Sequence, residues 1–290
     1  MCTGGCTGRC PTSTPRAAEP ARLMARRARL DAELVRRGLA RSREHAVELI
    51  AAGRVSVGGL TAAKAATQVD PAAALVVAAD LGDPDYASRA GHKLAGALDT
   101  WPELVVAGRR VLDAGASTGG FTDVVLRRGA ASVVAVDVGY GQLHWRLRSD
   151  PRVEVRDRTN VRDLAAGDVK PAPDLVVGDL SFISLAVVLP ALVAVAAEGA
   201  DFVLMVKPQF EVGRERVGSG GVVRDPALRA EAVRRIGARG AELGLGAAGV
   251  VASPLPGPSG NVEYFIWLRR GAPSLDPADV DRAVEEGPSG

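Results

Sequence analysis

The feature that most constrains the fold is the alternation of short apolar runs with helix-length segments over residues 93–270. Apolar runs of this kind are typical of strands buried on both faces, and their alternation with helices indicates a parallel sheet covered on each side. The candidate strands are residues 110–114, 132–137, 152–156, 174–179, 201–206, 247–252 and 262–268. The last run follows the loop "SPLPGPSGN", and we expect it to be antiparallel. The pattern predicts an α/β, Rossmann-like domain with a seven-stranded, mostly parallel sheet.

A glycine-rich turn follows the first candidate strand, within "VLDAGASTGGF" at residues 111–121. Glycines allow a tight turn and close approach of a ligand, although the spacing differs from the G-x-G-x-x-G of dinucleotide folds. Asp113 precedes the glycines, and Asp137 ends the next strand, where a carboxylate can bind both hydroxyls of a ribose. Acidic residues at these places suit a cationic nucleoside, so the pattern favours S-adenosylmethionine as cofactor of a methyltransferase. The predicted cofactor-binding residues are Asp113, Gly115, Ala116, Ser117, Gly119, Phe121, Asp137 and Asn160.

Charged residues also end two later strands. "LVVGDLSF" reaches Asp179 and "FVLMVKPQFE" reaches Lys207, directly after apolar runs. Ligands of open α/β sheets bind outside the carboxyl ends of the strands, so these two side chains are expected to converge. The alternative is an ordinary buried ion pair without a catalytic role. Lysine is rare in this chain, since only four of the 36 Lys and Arg residues are lysines, and Lys207 is one of them.

The sequence also limits which type of atom can accept the methyl group. The body of the chain has no cysteine to act as the nucleophile of cytosine C5 methylation. The strand end at Asp179 differs from the D/N-P-P-Y/F pattern of amino-group methylases. Oxygen is therefore the favoured acceptor.

A smaller basic unit is predicted at residues 24–80. Apolar residues recur at helical spacing in two segments, Ser42 is a good N-cap for the second, and "AGRVSVGG" indicates a strand and turn. Residues 22–80 hold ten Lys and Arg against six Asp and Glu, whereas residues 81–290 hold 24 against 27. The order of elements resembles the α+β S4 RNA-binding domain, and the charge suggests a polyanionic partner, with a solvated arginine-rich surface as the alternative. The predicted RNA-binding residues are Arg26, Arg27, Arg29, Arg36, Arg41, Arg43 and Arg54.

Three segments are expected to lie outside the two domains: a disordered extension at residues 1–23, a linker at 81–92, and a weakly ordered tail at 271–290 with one short helix near Pro277–Glu286. All three cysteines, Cys2, Cys6 and Cys10, fall in the extension. Their spacing matches no metal or iron–sulfur motif, so no metal site is predicted. A body without cysteine fits a reducing cytoplasm.

One segment is long and uncharged enough to be considered as a membrane-spanning helix. Leu180–Ala197 contains 18 residues without a charge, close to the minimum for a spanning helix. It contains Pro190, and acidic residues flank it instead of basic anchors. A strand end followed by a core helix explains this segment better, and no membrane association is expected.

Seven segments together resemble the TlyA family of rRNA 2′-O-methyltransferases: "RRARLDAELVRRGLARSREHAVELIAAGRV", "SRAGHKLAGALD", "DAGASTGGFTDVVLRRGA", "DVGYGQL", "DLSFISL", "VKPQFEVG" and "SPLPGPSGNVEYFIWL". They span residues 24–270. The resemblance implies an S4 domain joined to a methyltransferase domain of the FtsJ/RrmJ type. It also implies a catalytic tetrad formed by Lys93, Asp179, Lys207 and Glu263.

The resemblance further implies cytidines of 16S and 23S rRNA as targets, within 30S and 50S subunits or their assembly intermediates. A ribose hydroxyl is a poor nucleophile, and Lys207 is expected to accept its proton or to stabilise the alkoxide as it forms. Lys93, Asp179 and Glu263 would orient Lys207, and Lys93 would also position the substrate ribose. The protein is expected to act as a monomer.

Three alternative functions are less favoured by the sequence. A non-catalytic RNA-binding factor for ribosome assembly would not need all four tetrad residues. A membrane-active haemolysin would need a spanning or lytic helix, for which the sequence offers no convincing candidate. An S4-bearing pseudouridine synthase would not need the nucleoside-binding turn at residues 113–120.

Overall fold

The computed structural model describes residues 1, 27–78, 84–257 and 259–287. Contacts divide the chain into two compact units, Met1–Asp80 and Leu81–Gly290. Residues 2–23 of the predicted extension, with its three cysteines, lie outside the described residues, as does Arg26.

Residues 27–78, the main described part of the N-terminal unit, form two helices and five short strands. They are α1 (Leu30–Arg36), α2 (Arg43–Ala51), β1 (Ala28–Arg29), β2 (Val55–Val57), β3 (Leu60–Thr61), β4 (Gln68–Val69) and β5 (Leu75–Val77). Strand β2 pairs antiparallel with β3 and β5, and β1 pairs with β4. The Ser42 hydroxyl accepts a hydrogen bond from His45 N at 3.1 Å and begins α2, as its N-cap pattern predicts. Leu30, Leu34 and Ile50 are buried in a small core of this unit.

The C-terminal unit is built on one seven-stranded sheet. Its strands are β6 (Arg110–Ala114), β7 (Ser132–Val136), β8 (Val153–Arg156), β9 (Leu175–Gly178), β10 (Asp201–Val206), β11 (Gly246–Ala252) and β12 (Tyr264–Arg269). They lie in the order β11-β12-β10-β9-β6-β7-β8. Strand β12 is antiparallel to both of its neighbours, while β10, β9, β6, β7 and β8 are parallel. The predicted Rossmann-like sheet and its antiparallel last strand are confirmed.

Helices cover both faces of this sheet. They are α3 (Arg89–Asp99), α4 (Gly120–Arg127), α5 (Trp145–Arg148), α6 (Leu185–Val195), α7 (Pro208–Glu211), α8 (Pro226–Glu242) and α9 (Pro277–Glu286). Alternate residues of β6 enter different cores. Leu112 packs in the core that includes α6, α8 and α9, and Val111 packs in the core that includes α3 and α4. This period of two explains why the strands are apolar throughout.

Two predicted boundaries differ from the structure. Helix α3 begins at Arg89, inside the segment predicted as a linker, and Tyr86 and Ala87 before it are buried. A Cβ on Gly91 would lie 2.5 Å from the Tyr86 side chain, so close packing holds this segment onto the domain. The linker of residues 81–92 was therefore predicted too long.

The C-terminal tail is not weakly ordered over its described part. Helix α9 occupies the predicted residues, but Val280 and Ala283 on one side of it are fully buried against the sheet unit. Apolar residues three positions apart form a stripe that gains free energy only when a core is present to cover it. The contact between α9 and the core is a tertiary one, and it corrects the prediction of a weakly ordered tail.

The uncharged segment Leu180–Ala197 forms a loop and an eleven-residue helix, α6, that contributes Leu189 and Leu192 to the core. Pro190 lies inside this helix. Within residues 27–78, 84–257 and 259–287, the helices are all too short or too polar to span a bilayer.

Candidate active site

The glycine-rich turn connects β6 to α4 and is fastened to the neighbouring strand. The amides of Gly115 and Ala116 both donate to the carbonyl of Val136, at 2.9 and 3.1 Å. Gly115 adopts a φ of +85°, and a Cβ there would lie 2.8 Å from the backbone oxygen of Asp179. Only glycine fits this conformation and this approach without strain. The turn is thereby held against the loop that follows β9.

A cavity of about 510 Å³ lies beside this turn at the carboxyl edge of the sheet, and we call it the glycine-loop cavity. Its lining residues are Gly115, Ser117, Val136, Asp137, Val138, Gln142, Thr159, Asn160, Val161, Arg162, Asp179, Leu180, Ser181, Phe182 and Ile183. The two carboxylate oxygens of Asp137 accept from Ser117 N at 2.8 Å and from Gly139 N at 2.7 Å. Each oxygen keeps a further lone pair, so Asp137 can still accept from ligand hydroxyls.

A second cavity of about 340 Å³ contains all four residues of the predicted tetrad, and we call it the lysine cavity. Lys93 Nζ donates to Glu263 Oε2 at 2.6 Å. Lys207 Nζ lies 2.6 Å from Asp179 Oδ1 and donates a hydrogen bond to Ser181 Oγ at 2.8 Å. The structure therefore brings the four side chains together as two ion pairs.

Each pair joins residues that come from different elements. Lys93 lies on α3, whereas Asp179 and Lys207 directly follow the parallel strands β9 and β10. Glu263 precedes β12, and because β12 is antiparallel to β10, Tyr264 pairs with Val206 at the carboxyl end of β10. An antiparallel strand places its first residue where the parallel strands place their last. That geometry explains how Glu263 reaches the same edge as Lys207.

The charges of the lysine cavity are partly removed from water. Glu263 is 1% exposed, Lys93 6% and Lys207 9%, and each cation faces a carboxylate. Charges buried this deeply need partners, since removing one leaves the other unpaired in surroundings of low polarity. The arrangement can hold a hydroxyl group, and it can move or stabilise a proton there without help from bulk water.

The two cavities share one wall, formed by Gly115, Ser117, Asp179 and Ser181. A ligand in the glycine-loop cavity and a ligand in the lysine cavity would therefore face each other across the end of β9. Such an arrangement suits transfer of a group between two bound molecules, because it fixes their distance and orientation.

Asp113 does not line either of these two cavities. It is fully buried within β6, and its Oδ2 accepts from Thr122 Oγ1 at 2.6 Å. Burial raises the pKa of Asp113 to about 7, and the charges of Asp179 and Asp137 contribute in the same direction. The prediction that Asp113 contacts the cofactor is therefore corrected: Asp113 lies in the core beneath the turn.

Of four further predicted cofactor residues, three line a cavity and one does not. Ala116 and Phe121 line the lysine cavity, and Phe121 packs on Phe265 with ring centroids 5.9 Å apart. Asn160 lines the glycine-loop cavity and accepts from Arg162 N at 3.2 Å. Gly119 lines neither cavity. A Cβ at this position would lie 2.3 Å from a methyl group of Leu147. Packing against α5 explains this glycine, which corrects its assignment to the cofactor.

Sequence reasoning missed Ser181 as a site residue. It lines both cavities and is the hydrogen-bond partner of Lys207. Its position two residues after Asp179 in "GDLSF" was the available signal, but a serine in a loop has many other uses.

Several predicted RNA-binding arginines belong to an ion-pair network of the N-terminal unit. Arg29 and Arg43 each lie 2.9 Å from Asp31, while Arg36 contacts Glu33 at 2.6 Å. The arginines hold the pKa of Asp31 far below its usual range and lower the pKa of Glu33 to about 2. These arginines therefore neutralise buried carboxylates, which the sequence did not predict.

The network leaves much of these arginine side chains accessible. The side chains of Arg36 and Arg43 are 63% and 61% exposed, and that of Arg29 is 46% exposed. Arg27 is exposed as well, Arg41 N donates to His45 Nδ1 at 3.1 Å, and Arg54 Nε donates to Ala78 O at 3.0 Å. A guanidinium has five N–H donors, so an arginine paired with a carboxylate can still bind a phosphate.

Comparisons with known proteins agree with both units. Residues 28–74 match the S4 domain, and residues 86–270 match the FtsJ-like methyltransferases. The chain is 60% identical over 271 residues to the 16S/23S rRNA (cytidine-2′-O)-methyltransferase TlyA of Mycobacterium tuberculosis, covering 91% of this chain and 100% of that relative. It is 35% identical to Hemolysin A of Brachyspira hyodysenteriae, covering 82% and 98%.

A solved structure of a candidate hemolysin from Streptococcus thermophilus is also similar. It superposes with a TM-score of 0.71 at 36% identity, covering 90% of this chain and 96% of that one. The order of the two domains and the 60% identity over 91% of the chain both match the TlyA relative. The chain therefore belongs to the TlyA family, in which an S4 domain precedes an FtsJ-like methyltransferase domain.

Proposed function

We propose that this protein transfers the methyl group of S-adenosylmethionine to the 2′-oxygen of cytidines in 16S and 23S rRNA, acting as a monomer in the cytoplasm. The observation that carries the proposal is the pair of cavities with a shared wall, one of which holds Lys93, Asp179, Lys207 and Glu263. The substrate class follows the M. tuberculosis relative, whose name specifies 16S/23S rRNA and cytidine 2′-oxygen.

The glycine-loop cavity fits S-adenosylmethionine. Its volume of about 510 Å³ lies within the usual range of small-molecule sites, and the missing Cβ of Gly115 leaves the backbone open to a ligand. Asp137 has acceptor capacity left for two ribose hydroxyls, and Asn160, which lines the cavity, would contact the adenine. Gly115, Ala116 and Ser117 would face the methionine part. The bound cofactor would supply an electrophilic methyl carbon on a sulfonium.

The lysine cavity would hold the ribose of the target nucleotide. We assign to Lys207 the acceptance of the 2′-hydroxyl proton as the oxygen–carbon bond forms; its ammonium first releases a proton to solvent, and Asp179 and Ser181 orient the free amine at Nζ. Asp179 then neutralises the ammonium that results. The ion pair of Lys93 with Glu263 would hold Lys93 in place to position the ribose. Burial of these groups keeps competing water away from the reacting oxygen.

The S4 domain would deliver the enzyme to its RNA. Exposed arginines can neutralise phosphates, and this electrostatic contribution is sequence-independent and sensitive to salt. Arg27, Arg36 and Arg43 extend into solvent and are the arginines we assign to phosphate contacts. Specificity would then come from the shape of the ribosomal site together with the lysine cavity.

The experiment is transfer of radiolabelled methyl from S-adenosylmethionine to purified 30S and 50S subunits, comparing wild type with Lys207→Ala. We expect label in rRNA that survives alkaline hydrolysis as a protected dinucleotide, because a 2′-O-methyl group blocks cleavage. The variant should lose about 10²- to 10⁴-fold in rate, as is typical when a group that accepts a proton is removed. If the wild type binds subunits but transfers no label to either, the proposed methyltransferase activity is wrong. The protein would then be a non-catalytic RNA-binding factor for ribosome assembly.

A further inference from the structure

Two loops leave neighbouring parallel strands at the site and lie side by side. One joins β9 to α6 through residues 179–184, and the other follows β10 and includes the short helix α7. The last paired residues of these strands are Gly178 and Leu204, so both loops begin at the same edge. The ion pair between Lys207 and Asp179 is a first connection between them, near their starting points.

A second connection lies at the far end of the same loops. The carboxylate of Glu211, the last residue of α7, accepts from Ser184 Oγ at 2.5 Å and from Leu185 N at 2.7 Å. Glu211 is 2% exposed, so these bonds are shielded from water. Its own backbone oxygen accepts from Arg235 on α8 at 2.6 Å. Glu211 therefore fastens the β9–α6 loop to an element that is itself anchored to a long helix.

The middle of the β9–α6 loop has little burial of its own. Phe182 is 92% exposed and adopts a φ of +64°, a conformation that a residue with a side chain holds only when its surroundings enforce it. The loop nevertheless lines the glycine-loop cavity from Asp179 to Ile183. Phe182 contacts Phe210 of α7 with ring centroids 5.3 Å apart, and Leu180 and Ile183 pack partly against the core. The two connections at the ends of the loop therefore act together with these contacts to set its shape at the site.

We propose that Glu211 is a positioning residue, which holds the β9–α6 loop so that Asp179 and Ser181 keep Lys207 in place and the wall between the two cavities keeps its shape. This inference rests on the proposed methyl transfer. Glu211 does not line the lysine cavity or the glycine-loop cavity, so it acts only through the residues it holds.

The test compares Glu211→Ala with Glu211→Gln and with Asp201→Ala. Asp201 is a matched control because it is a buried carboxylate at the opposite end of β10, where it accepts from Arg109 and Trp267. Glutamine can accept from Leu185 N and donate to Ser184 Oγ, so it should preserve the connection. The measurements are kcat with 30S and 50S subunits, the Kd for S-adenosylmethionine by calorimetry, and hydrogen exchange of the amides of residues 179–185, all well below the lowest Tm.

We expect both alanine variants to lower Tm, but only Glu211→Ala to lower kcat, by about tenfold to a hundredfold, because small misplacements of reacting groups cost this much. The same variant should weaken S-adenosylmethionine binding and speed exchange of residues 179–185, while Glu211→Gln stays close to wild type. Equal kcat, Kd and exchange in Glu211→Ala and Asp201→Ala would overturn the proposal.

A failure of the proposed function is distinguishable from a failure of this inference. If wild type transfers no methyl, the Kd and the exchange of residues 179–185 still decide whether Glu211 holds the loop. If Glu211→Ala does not fold, Ser184→Ala replaces it, since that change removes the hydrogen bond to Glu211 together with the N-cap bond from Ala186 N. Asp225→Ala, which removes an N-cap bond at α8, is its control. A kcat for Ser184→Ala below those of Asp201→Ala and Asp225→Ala supports the role of Glu211, and a kcat equal to theirs overturns it.

Discussion

The two edges of the large sheet both carry buried charges but use them differently. At the amino edge, Asp201 accepts from Arg109 Nη1 at 2.5 Å and from Trp267 Nε1 at 2.7 Å, so both of its oxygens have protein partners. At the carboxyl edge, Lys207 pairs with Asp179, and both also line a cavity. A buried ion pair thus stabilises the fold at the amino edge and lines a ligand cavity at the carboxyl edge.

This difference follows from the direction of the strands. Parallel strands end together at one edge, and the loops that leave them diverge to enter helices on both faces, which opens a crevice. Buried charge in a crevice costs free energy that a ligand can offset, whereas the amino-edge network needs no ligand. If the two edges differ as their geometry indicates, changes at the carboxyl edge lower methyl transfer, and changes at the amino edge lower only the stability of the fold.

The largest expected effect is that of Lys93→Ala. The change leaves Glu263, 1% exposed, without its cation, and we expect a loss of roughly 3–5 kcal/mol in the free energy of unfolding. Arg109→Ala should cost less, because Asp201 keeps its bond to Trp267 and the Arg109 side chain is 26% exposed. Urea unfolding of both variants measures the two losses. Methyl transfer should fall only in Lys93→Ala, and a similar fall in Arg109→Ala would remove the distinction between the edges.

The stability of the protein should depend on pH through the buried carboxyl group of Asp113. The pKa of Asp113 rises from 3.8 to about 7 on folding, so the folded protein binds this proton more tightly than the unfolded chain. Its contribution to stability is therefore complete below pH 3.8 and is lost as pH rises to about 7. Asp113→Asn keeps an acceptor for Thr122 but does not titrate.

Relative to wild type, Asp113→Asn should become more stable with rising pH, by at most about 4 kcal/mol between pH 4 and pH 8. Urea unfolding at a series of pH values measures this difference. A difference that is constant across this range would mean that Asp113 does not change its protonation there, and that its burial is offset in another way.

The smallest expected effect is that of Trp267→Phe at the amino edge. The change removes one hydrogen bond to the Asp201 carboxylate, which typically contributes about 2 kcal/mol, and Arg109 still neutralises the charge. We expect thermal unfolding at a lower temperature and unchanged kcat with ribosomal subunits. Loss of kcat at full occupancy by S-adenosylmethionine would show that the amino edge influences the site through the sheet.

Much of the fold could be predicted because its signals are local. Strands such as Arg110–Ala114 and Asp201–Val206 have the predicted bounds, since a strand buried on both faces must be apolar at every position. The N-cap at Ser42 was also predicted, because a cap depends on only four residues. The failures lie at residues 81–92 and 271–290, where order comes from burial of Tyr86 and Val280 by distant residues.

The candidate site shows the same division. The sequence indicated where charged residues end strands, and the family resemblance named Lys93 and Glu263, but neither indicated how the charges pair. It also could not show that Asp113 is enclosed or that Glu211 binds Ser184, because these contacts depend on packing between elements.

The sequence by itself determined the order of elements, the chemistry available at each strand end and the family of the chain, since these follow from residue types and short spacings. Only the tertiary structure decided which carboxylate faces which lysine. Lys93 and Glu263 are 170 residues apart in the chain, and they meet because β12 runs antiparallel to β10 and brings Glu263 back to the carboxyl edge. Local patterns cannot specify such a contact, because it depends on how strands far apart in the chain are arranged in the sheet.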